Sequence, residues 1–243
     1  MTQLGHSGAD RASCLCGILA IRNRGGDDMV SEQGTAMSGL TRRALIFAAP
    51  SLLIPKAALA VLAPTPSANE GPFYPVRMPS DDDADLIRVE GAVRQAGGDI
   101  LHLGGRVLDT DGRPIADVRI EIWQCDANGI YLHPGDHRIA SRDTGFQGFG
   151  HTRSDAAGRF TFRTIVPVAY PGRTPHIHVK VLRNGRALLT TQLYRAGHSQ
   201  NSSDFLFSRL APDEQRRVSM VIRPHPASPH TVFKTAIDLV IGG

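Results

Sequence analysis

Short stretches in which apolar and polar residues alternate recur along the chain from about residue 100 to its end. In the clearest of them, Asp117–Gln124, the apolar residues Val118, Ile120 and Ile122 alternate with charged or aromatic neighbours. Successive side chains of a β-strand point to opposite faces, so this period predicts strands with one buried face. The other β-rich runs, each bounded by turn-forming residues, are Leu101–Leu108, Phe160–Ile165, Ile177–Leu182, Leu188–Tyr194, Val218–Arg223 and Thr231–Ile241.

About seven short strands separated by turns are typical of an all-β sandwich. We therefore predict a single β-sandwich domain over residues 64–243, with long loops and an extended N-terminal arm. The one moderately helical stretch is Pro212–Arg217. The connection from Asp126 to Ala157 shows little periodicity, and we interpret it as a long loop. Loops longer than about 15 residues in a compact domain are usually functional, which makes this connection a candidate wall of a site.

The first sixty residues have the composition of a targeting segment. An arginine pair at Arg42 and Arg43 precedes the apolar run Ala44–Ile54, and a small-residue cleavage site follows at residues 58–60. We interpret residues 37–63 as a twin-arginine-type signal peptide and predict export to the periplasm or the cell exterior. Residues 1–36 are interpreted as a non-translated or disordered extension. A buried amphipathic helix is the alternative for the apolar run, which is too short for a stable membrane span.

Composition and charge exclude several functional classes. The chain has 243 residues, of which 41% are hydrophobic and 21% charged, as expected for a folded domain rather than a disordered chain. The net charge is only +4, and the basic residues are scattered without interleaved aromatics, which argues against nucleic-acid binding. Cys125 is the single cysteine after the proposed signal, so the exported fold has to be stabilised by its core without an internal disulfide.

The stretch from Ile165 to Val181 concentrates the candidate chemistry. It contains Tyr170, Arg173 and the histidines His176 and His178. On a strand, these two histidines would project from the same face and could chelate a metal ion. Two histidines near the start of a strand are equally compatible with a polar surface, and these residues alone do not decide between the two interpretations.

Tyrosine is scarce in the chain, with four residues in total. Tyr131 follows a predicted strand at the start of the long connection, and Tyr170 lies six residues before His176. A phenolate oxygen is a hard anionic donor that suits a hard cation such as Fe(III). Two phenolates would leave one positive charge on such an ion, which a bound hydroxide would neutralise. Each tyrosine taken singly is better explained as a core or rim residue with a satisfied hydroxyl.

Several sequence blocks together resemble the intradiol ring-cleavage dioxygenases, and are most similar to the protocatechuate 3,4-dioxygenase type. The resemblance runs from Asn69 to about Leu210, and its blocks follow the family order. They are EGPFY (residues 70–74), IEIWQ-x-D-x-x-G-x-Y (120–131), SDAAGRFTFRTIVP (154–167), YPGRTPHIH (170–178) and TQLY (191–194).

The resemblance implies a role for each matching residue. Non-haem Fe(III) would be held by Tyr131 and His176 as equatorial ligands and by Tyr170 and His178 as axial ligands. The residues implied to be catalytic are Arg173, Gln192 and Tyr170, and those implied to bind substrate are Gly71, Pro72, Arg173 and Gln192.

The resemblance also implies an activity, the cleavage of a catechol-type ring between its two hydroxyl-bearing carbons with O2. The product would be a diacid of the cis,cis-muconate type, the partners would be a catechol-type aromatic substrate and O2, and a homo-oligomer is a candidate assembly. The chain departs from the protocatechuate enzymes in a shorter Tyr170–His176 segment and in PVAY where PGxY is usual, so it does not identify which catechol is cleaved.

Two other functional classes remain open from the sequence. A non-catalytic, transthyretin-like β-sandwich binding module fits the run GRVLDTDGRPIADVRIEIW, and a zinc hydrolase fits a histidine pair. Neither needs two tyrosines beside two histidines, and no Asp or Glu adjoins the histidine pair to act as a general base. The histidines of the long connection, His133, His137 and His151, are interpreted as surface or rim residues, with a pocket role left open.

Overall fold

The computed structural model of the protein describes residues 61–228 and 231–243. The predicted extension at residues 1–36 and nearly all of the predicted signal at residues 37–63 lie outside the described residues. Within the described ranges, no helix is long and apolar enough to cross a membrane. The strands are β1 (Ile100–Asp109), β2 (Arg119–Trp123), β3 (Phe149–Arg153), β4 (Arg159–Ile165), β5 (His176–Arg183), β6 (Arg186–Arg195), β7 (Ser219–Met220), β8 (Arg223–Pro224), β9 (Val232–Ala236) and β10 (Leu239–Ile241).

The strands form two mixed five-stranded sheets, so the all-β class is confirmed. In the first sheet β1 is central, pairing antiparallel with β4 and parallel with β9 and β10, while β8 adds to β9. The second sheet has the order β3-β2-β5-β6-β7, in which β5 is flanked by β2 and β6 in antiparallel pairs. The α-helix α1 (Pro212–Arg217) has the bounds that the sequence predicts.

Both sheets contribute to one hydrophobic core. Leu101 and Leu103 of β1 belong to the same buried cluster as Ile120 and Ile122 of β2, and all four are at most 1% exposed. This is the apolar half of the alternating pattern in the sequence, now facing inward. The other half of the β2 alternation therefore lies on the outer face of the second sheet, where the candidate site residues are found.

The prediction of a long loop from Asp126 to Ala157 is wrong in part, because the segment contains strand β3. This strand pairs antiparallel with β2 over its whole length. Its sequence hides the pairing, because Gly150 stands where the period calls for an apolar side chain. A Cβ at that position would lie 2.3 Å from the carbonyl oxygen of Asp83, so only glycine permits the close approach of the two chain segments.

Two other predicted strands are each divided. Val218–Arg223 contains the short strands β7 and β8, and Thr231–Ile241 contains β9 and β10. In the first case the two pieces pair with different partners, β7 with β6 in the second sheet and β8 with β9 in the first. In the second case β9 and β10 both pair parallel with β1, at different positions along it. A continuous β-rich run cannot reveal such a change of partner, since its period is the same on both sides of the break.

Candidate metal centre and substrate face

Strand β5 places the two histidines on the outer face of the second sheet. Ile177 and Val179, which alternate with them, are buried in the core. In the sheet register His178 lies between Trp123 of β2 and Gln192 of β6. Directly opposed residues in antiparallel strands share a face, so Gln192 and Trp123 are brought to the histidine side. Both histidines are 1% exposed, which excludes the surface interpretation.

The histidine rings point their Nε2 atoms at each other across 3.2 Å. The Nδ1 of His176 lies 2.7 Å from the carbonyl oxygen of Thr174 and is therefore assigned as the protonated nitrogen, which leaves a lone pair on Nε2. Burial lowers the pKa of His176 to about 4, and burial together with the neighbouring His176 lowers the pKa of His178 well below its usual value. Both rings are thus neutral at pH 7, the state in which imidazole binds a metal ion.

Two tyrosines face these histidines. The rings of Tyr131 and Tyr170 meet edge to face at 5.4 Å between centroids. Tyr131 lies 6.2 Å from the ring of His178, and Tyr170 lies 5.6 Å from the ring of His176. Among the residues that the structure describes, the buried hydroxyl of Tyr131 has no hydrogen-bond partner. The two phenol rings and the two imidazole rings therefore lie in one cluster of aromatic contacts.

The protein environment alone opposes ionisation of both phenols. Burial raises the pKa of Tyr131 well above its usual value. Burial also raises the pKa of Tyr170, although the nearby Arg173 guanidinium acts in the opposite direction. A multivalent cation in contact with the oxygens would reverse this balance, because a bound metal ion deprotonates its ligands.

The donor set fits a ferric ion better than zinc. Buried phenol oxygens are hard donors, and burial without a hydrogen-bond partner is costly unless an ion takes that place. In residues 61–228 and 231–243, no group of three or more His, Cys, Asp or Glu side chains could hold a metal. A zinc hydrolase would need such a group. The residues present fit non-haem iron held by Tyr131, Tyr170, His176 and His178.

Arg173 lies beside this donor set and reaches three partners with its guanidinium. Its Nη1 lies 3.4 Å from the hydroxyl of Tyr170, and its Nη2 donates to Oε1 of Gln192 at 2.5 Å. Its Nε donates to Oδ2 of Asp204 at 2.9 Å. The same Gln192 oxygen accepts a bond from the Tyr194 hydroxyl at 3.0 Å. Arg173 and Gln192, both predicted to face substrate, are therefore in direct contact.

Aromatic rings stack face to face on two of the four candidate ligands. Trp123 stacks on His178 with 4.8 Å between ring centroids and 11° between planes. Phe73 stacks on Tyr131 at 4.4 Å and 18°. These contacts fix the ring planes and exclude water from one side of each ligand. Phe73 belongs to the sequence block EGPFY, but nothing in its residue type indicated which ring it would contact.

The turn that carries Tyr131 is held by a buried carboxylate. Asp136 is 3% exposed, and its Oδ2 accepts a bond from the backbone N–H of Tyr131 at 3.0 Å. Arg138 forms an ion pair with the same Oδ2 at 3.2 Å. Asp136 thus fixes the backbone of a candidate ligand from within the long connection, a role that the sequence did not reveal.

The N-terminal arm brings Gly71 against the site. The backbone of Gly71 is left-handed, with φ of 72°, and a Cβ there would lie 3.3 Å from Cε1 of His178. Pro72 follows it and is exposed. The arm is tied to the sheet by an ion pair between Glu70 and Lys180, and by the Tyr74 hydroxyl, which donates to Glu121 at 2.8 Å. Gly71 therefore lies against a candidate ligand, while the neighbouring Pro72 is exposed.

The remaining histidines differ from one another. The surface interpretation of His133 is wrong, because it is buried and its ring packs edge-on against Phe73 at 5.8 Å. Its Nδ1 accepts the backbone N–H of Gly135, so it shapes a turn. His137 is exposed, and His151 is half-buried against Asp82 at 3.2 Å. Within the described residues, no hydrogen bond or ring contact joins any of these three histidines to the four candidate ligands. A pocket role is therefore not supported for them.

An all-β fold with a buried His₂Tyr₂ cluster and an adjoining Arg–Gln pair defines this protein as a candidate mononuclear metalloprotein. A family model described as dioxygenase matches residues 69–243. The chain is 37% identical over 118 residues to the protocatechuate 3,4-dioxygenase beta chain of Burkholderia cepacia, covering 45% of this chain and 50% of that protein. It is 30% identical over 175 residues to the catechol 1,2-dioxygenase of Acinetobacter baylyi, covering 63% and 53%.

Solved structures give the same result. The dioxygenase domain of a dioxygenase carbohydrate-binding protein fusion from Streptomyces sp. SirexAA-E has a TM-score of 0.58 and 34% identity, over 74% of this chain and 99% of that chain. The 3-chlorocatechol 1,2-dioxygenase of Rhodococcus opacus 1CP has a TM-score of 0.56 and 27% identity, over 73% and 72%. The chain belongs to the intradiol ring-cleavage dioxygenase family. It spans about half the length of the curated relatives that it matches.

Proposed function

We propose that this protein is a non-haem Fe(III) intradiol dioxygenase that cleaves a catechol-type ring between its two hydroxyl-bearing carbons. The observation that carries the proposal is the pair of Nε2 atoms of His176 and His178, 3.2 Å apart, beside the buried hydroxyl of Tyr131. Both atoms of O2 would enter the product, one at each new carboxyl group, to give a cis,cis-muconate-type diacid. No other co-substrate is needed to balance this reaction.

Fe(III) would be held by Tyr131, Tyr170, His176 and His178, and when bound it would supply Lewis acidity towards the hydroxyl oxygens of the catechol. Tyr170 is the less buried of the two tyrosines and lies at the Arg173 side of the cluster. As a phenolate, its oxygen would be the base that takes up a catechol proton on binding. The buried imidazoles are metal donors in this scheme, so they do not serve as bases.

Arg173 and Gln192 would act on the substrate ring. The Arg173 guanidinium lies beside the Tyr170 hydroxyl, and it would stabilise negative charge that develops on the ring. Gln192 has a buried Nε2 without a partner within the described ranges, so this amide keeps a donor for the substrate. Preorganised donors of this kind favour the transition state, because they need no reorganisation when the charge appears.

A non-catalytic, transthyretin-like binding module is the alternative from another class. Such a module needs no buried hydroxyl beside two neutral imidazoles, an arrangement that is costly without an ion. The curated relatives are also named as dioxygenases. Iron content and oxygen uptake with a catechol discriminate between the two functions.

The purified protein is expected to bind about one iron per chain and to be burgundy from charge transfer between tyrosinate and Fe(III). An oxygen electrode should record uptake with at least one member of a panel of catechol, protocatechuate, hydroxyquinol and larger lignin-derived catechols. Metal analysis, visible spectra and product identification by mass spectrometry check this expectation. Colourless protein with one zinc per chain would contradict the iron assignment, and iron-loaded protein inert to the whole panel would contradict the activity.

We also propose export by the twin-arginine route, on the basis of the arginine pair and the small-residue site at residues 58–60. A full-length fusion to a reporter that is active only after export should lose its signal when Arg42 and Arg43 are both replaced by lysine. The matched control replaces Arg216 and Arg217, a consecutive arginine pair in α1, by lysine. Equal signals from both variants would contradict twin-arginine export.

A further inference from the structure

The Arg173 guanidinium has five N–H donors, and the protein uses three of them. Nε donates to Asp204, Nη2 to Gln192, and Nη1 lies near the Tyr170 hydroxyl. Each terminal nitrogen therefore keeps one further N–H. The orientation of the planar group decides where these two donors point. The contact at Nε is the one that faces away from the site residues Tyr170 and Gln192.

Asp204 is fully buried and is itself held by backbone donors. Its Oδ1 accepts the N–H groups of Leu206 and Phe207, both at 3.0 Å. Its Oδ2 accepts the N–H of Thr174 at 3.0 Å as well as the Nε–H of Arg173 at 2.9 Å. The side chain of Asp204 is 0% exposed and that of Arg173 is 10% exposed, so the ion pair is shielded from solvent.

The two carboxylate oxygens of Asp204 accept hydrogen bonds from different parts of the chain. Oδ1 closes the turn of its own segment, as an aspartate does in many loops. Among the described residues, Oδ2 accepts bonds only from Arg173 and Thr174 and makes none within its own segment. Burial by itself would raise the pKa of Asp204, but the backbone N–H groups and Arg173 lower it below its usual value. A purely structural turn residue would not need the second oxygen to be charged and directed at the site.

The geometry assigns Asp204 as the positioning residue for Arg173: its Oδ2 fixes the Nε edge so that both terminal nitrogens face the substrate side. This inference rests on the proposed function and adds a residue 31 positions away from Arg173 to it. Phe205 supports the same orientation, because its ring lies 5.4 Å from Cζ of Arg173. An arginine held at its edge and on its face loses little freedom when substrate binds.

The test replaces the carboxylate by an amide in the full chain loaded with iron. Asp204→Asn keeps one oxygen to accept the turn bonds but places an NH₂ group against Arg173, which cannot accept. We expect iron content, colour and the anaerobic binding constant of catechol to stay within about threefold, and kcat to fall at least about tenfold. The matched control, Asp85→Asn, removes a half-buried carboxylate from Arg163 at 2.9 Å in the first sheet and should leave kcat unchanged.

A double variant shows whether Asp204 acts through Arg173. If it does, Asp204→Asn combined with Arg173→Ala is no slower than Arg173→Ala alone. If the kcat of the double variant falls by the product of the two single-variant reductions, the inference is overturned. It is also overturned if Asp204→Asn retains more than half of wild-type kcat. Loss of iron from folded Asp204→Asn would also overturn it, since the carboxylate would then act through Thr174 on His176.

A second variant covers the case in which Asp204→Asn does not fold. Arg173→Lys keeps the charge, but a lysine ammonium has no separate Nε–H. It therefore cannot donate to Asp204 while it also faces Tyr170 and Gln192. We expect it to lose nearly as much kcat as Arg173→Ala, and more than half of wild-type kcat would overturn the inference. Failure of the proposed function is distinguishable from both results, because the wild-type protein itself would then turn over no catechol.

Discussion

Arg173→Ala is expected to leave iron content and colour unchanged while kcat falls by about 100-fold to 1,000-fold, the usual loss when one preorganised donor is removed from a developing charge. Arg173 is outside the donor set, so the ligands that give the colour keep their positions. Its guanidinium contacts both the Tyr170 hydroxyl, on the metal side of the site, and the side-chain oxygen of Gln192. Steady-state oxygen uptake, together with visible spectra of the resting protein, measures both quantities.

The matched control is Arg183→Ala. Arg183 ends the same strand that carries the histidines but is exposed, so its removal should change neither colour nor kcat. Unchanged turnover in Arg173→Ala would remove Arg173 from the mechanism. A colourless Arg173→Ala protein would instead assign the residue to metal retention.

The placement of the histidines could be derived from the sequence because it depends on local periodicity. Once β5 is a strand with Ile177 and Val179 buried, His176 and His178 have to share the opposite face. The same reasoning places Trp123 on the outer face of β2, since Ile120 and Ile122 occupy the core. The cross-strand register then brings Trp123 and His178 together, and this register was not predictable from either strand alone.

The tyrosines and the carboxylates are a different case. Tyr131 and Tyr170 lie in irregular segments, where no period fixes the direction of a side chain, and they were assigned through the family resemblance. The roles of Asp136 and Asp204 could not be predicted from the sequence, because aspartates are common in loops and their partners are set by tertiary contacts. Asp204 bonds Arg173 across 31 residues, a distance over which local patterns carry no information.

The protonation states of the four donor side chains depend on their burial, which the sequence alone does not show. Both imidazoles are neutral because burial lowers the pKa of each, and both phenols resist ionisation because burial raises theirs. The four candidate ligands therefore carry no charge until a cation is present. Binding of Fe(III) would release the phenol protons, so iron affinity should rise with pH. Replacing either Tyr131 or Tyr170 by phenylalanine should weaken this pH dependence, because one phenol proton fewer would be released.

His176→Ala is expected to lose iron and colour and to lower turnover per chain by more than about 100-fold, since changes around a metal ligand alone cost 10-fold to 100-fold. The imidazole supplies one of the two nitrogen donors, and alanine offers no replacement. Its cavity would lie beside Thr174, whose carbonyl oxygen loses the bond from Nδ1. Metal analysis of protein reconstituted with excess ferrous iron in air separates lost affinity from incomplete loading.

His137→Ala is the matched control, because His137 is an exposed histidine of the long connection. It should retain iron, colour and turnover within error. If His176→Ala keeps about one iron per chain and its charge-transfer band, His176 is not a ligand and the metal centre has to be rebuilt from other residues. If both variants lose iron equally, the loss reflects general destabilisation. Thermal unfolding curves recorded without and with added iron distinguish that case, because a true ligand substitution removes the stabilisation that added iron gives to the wild type.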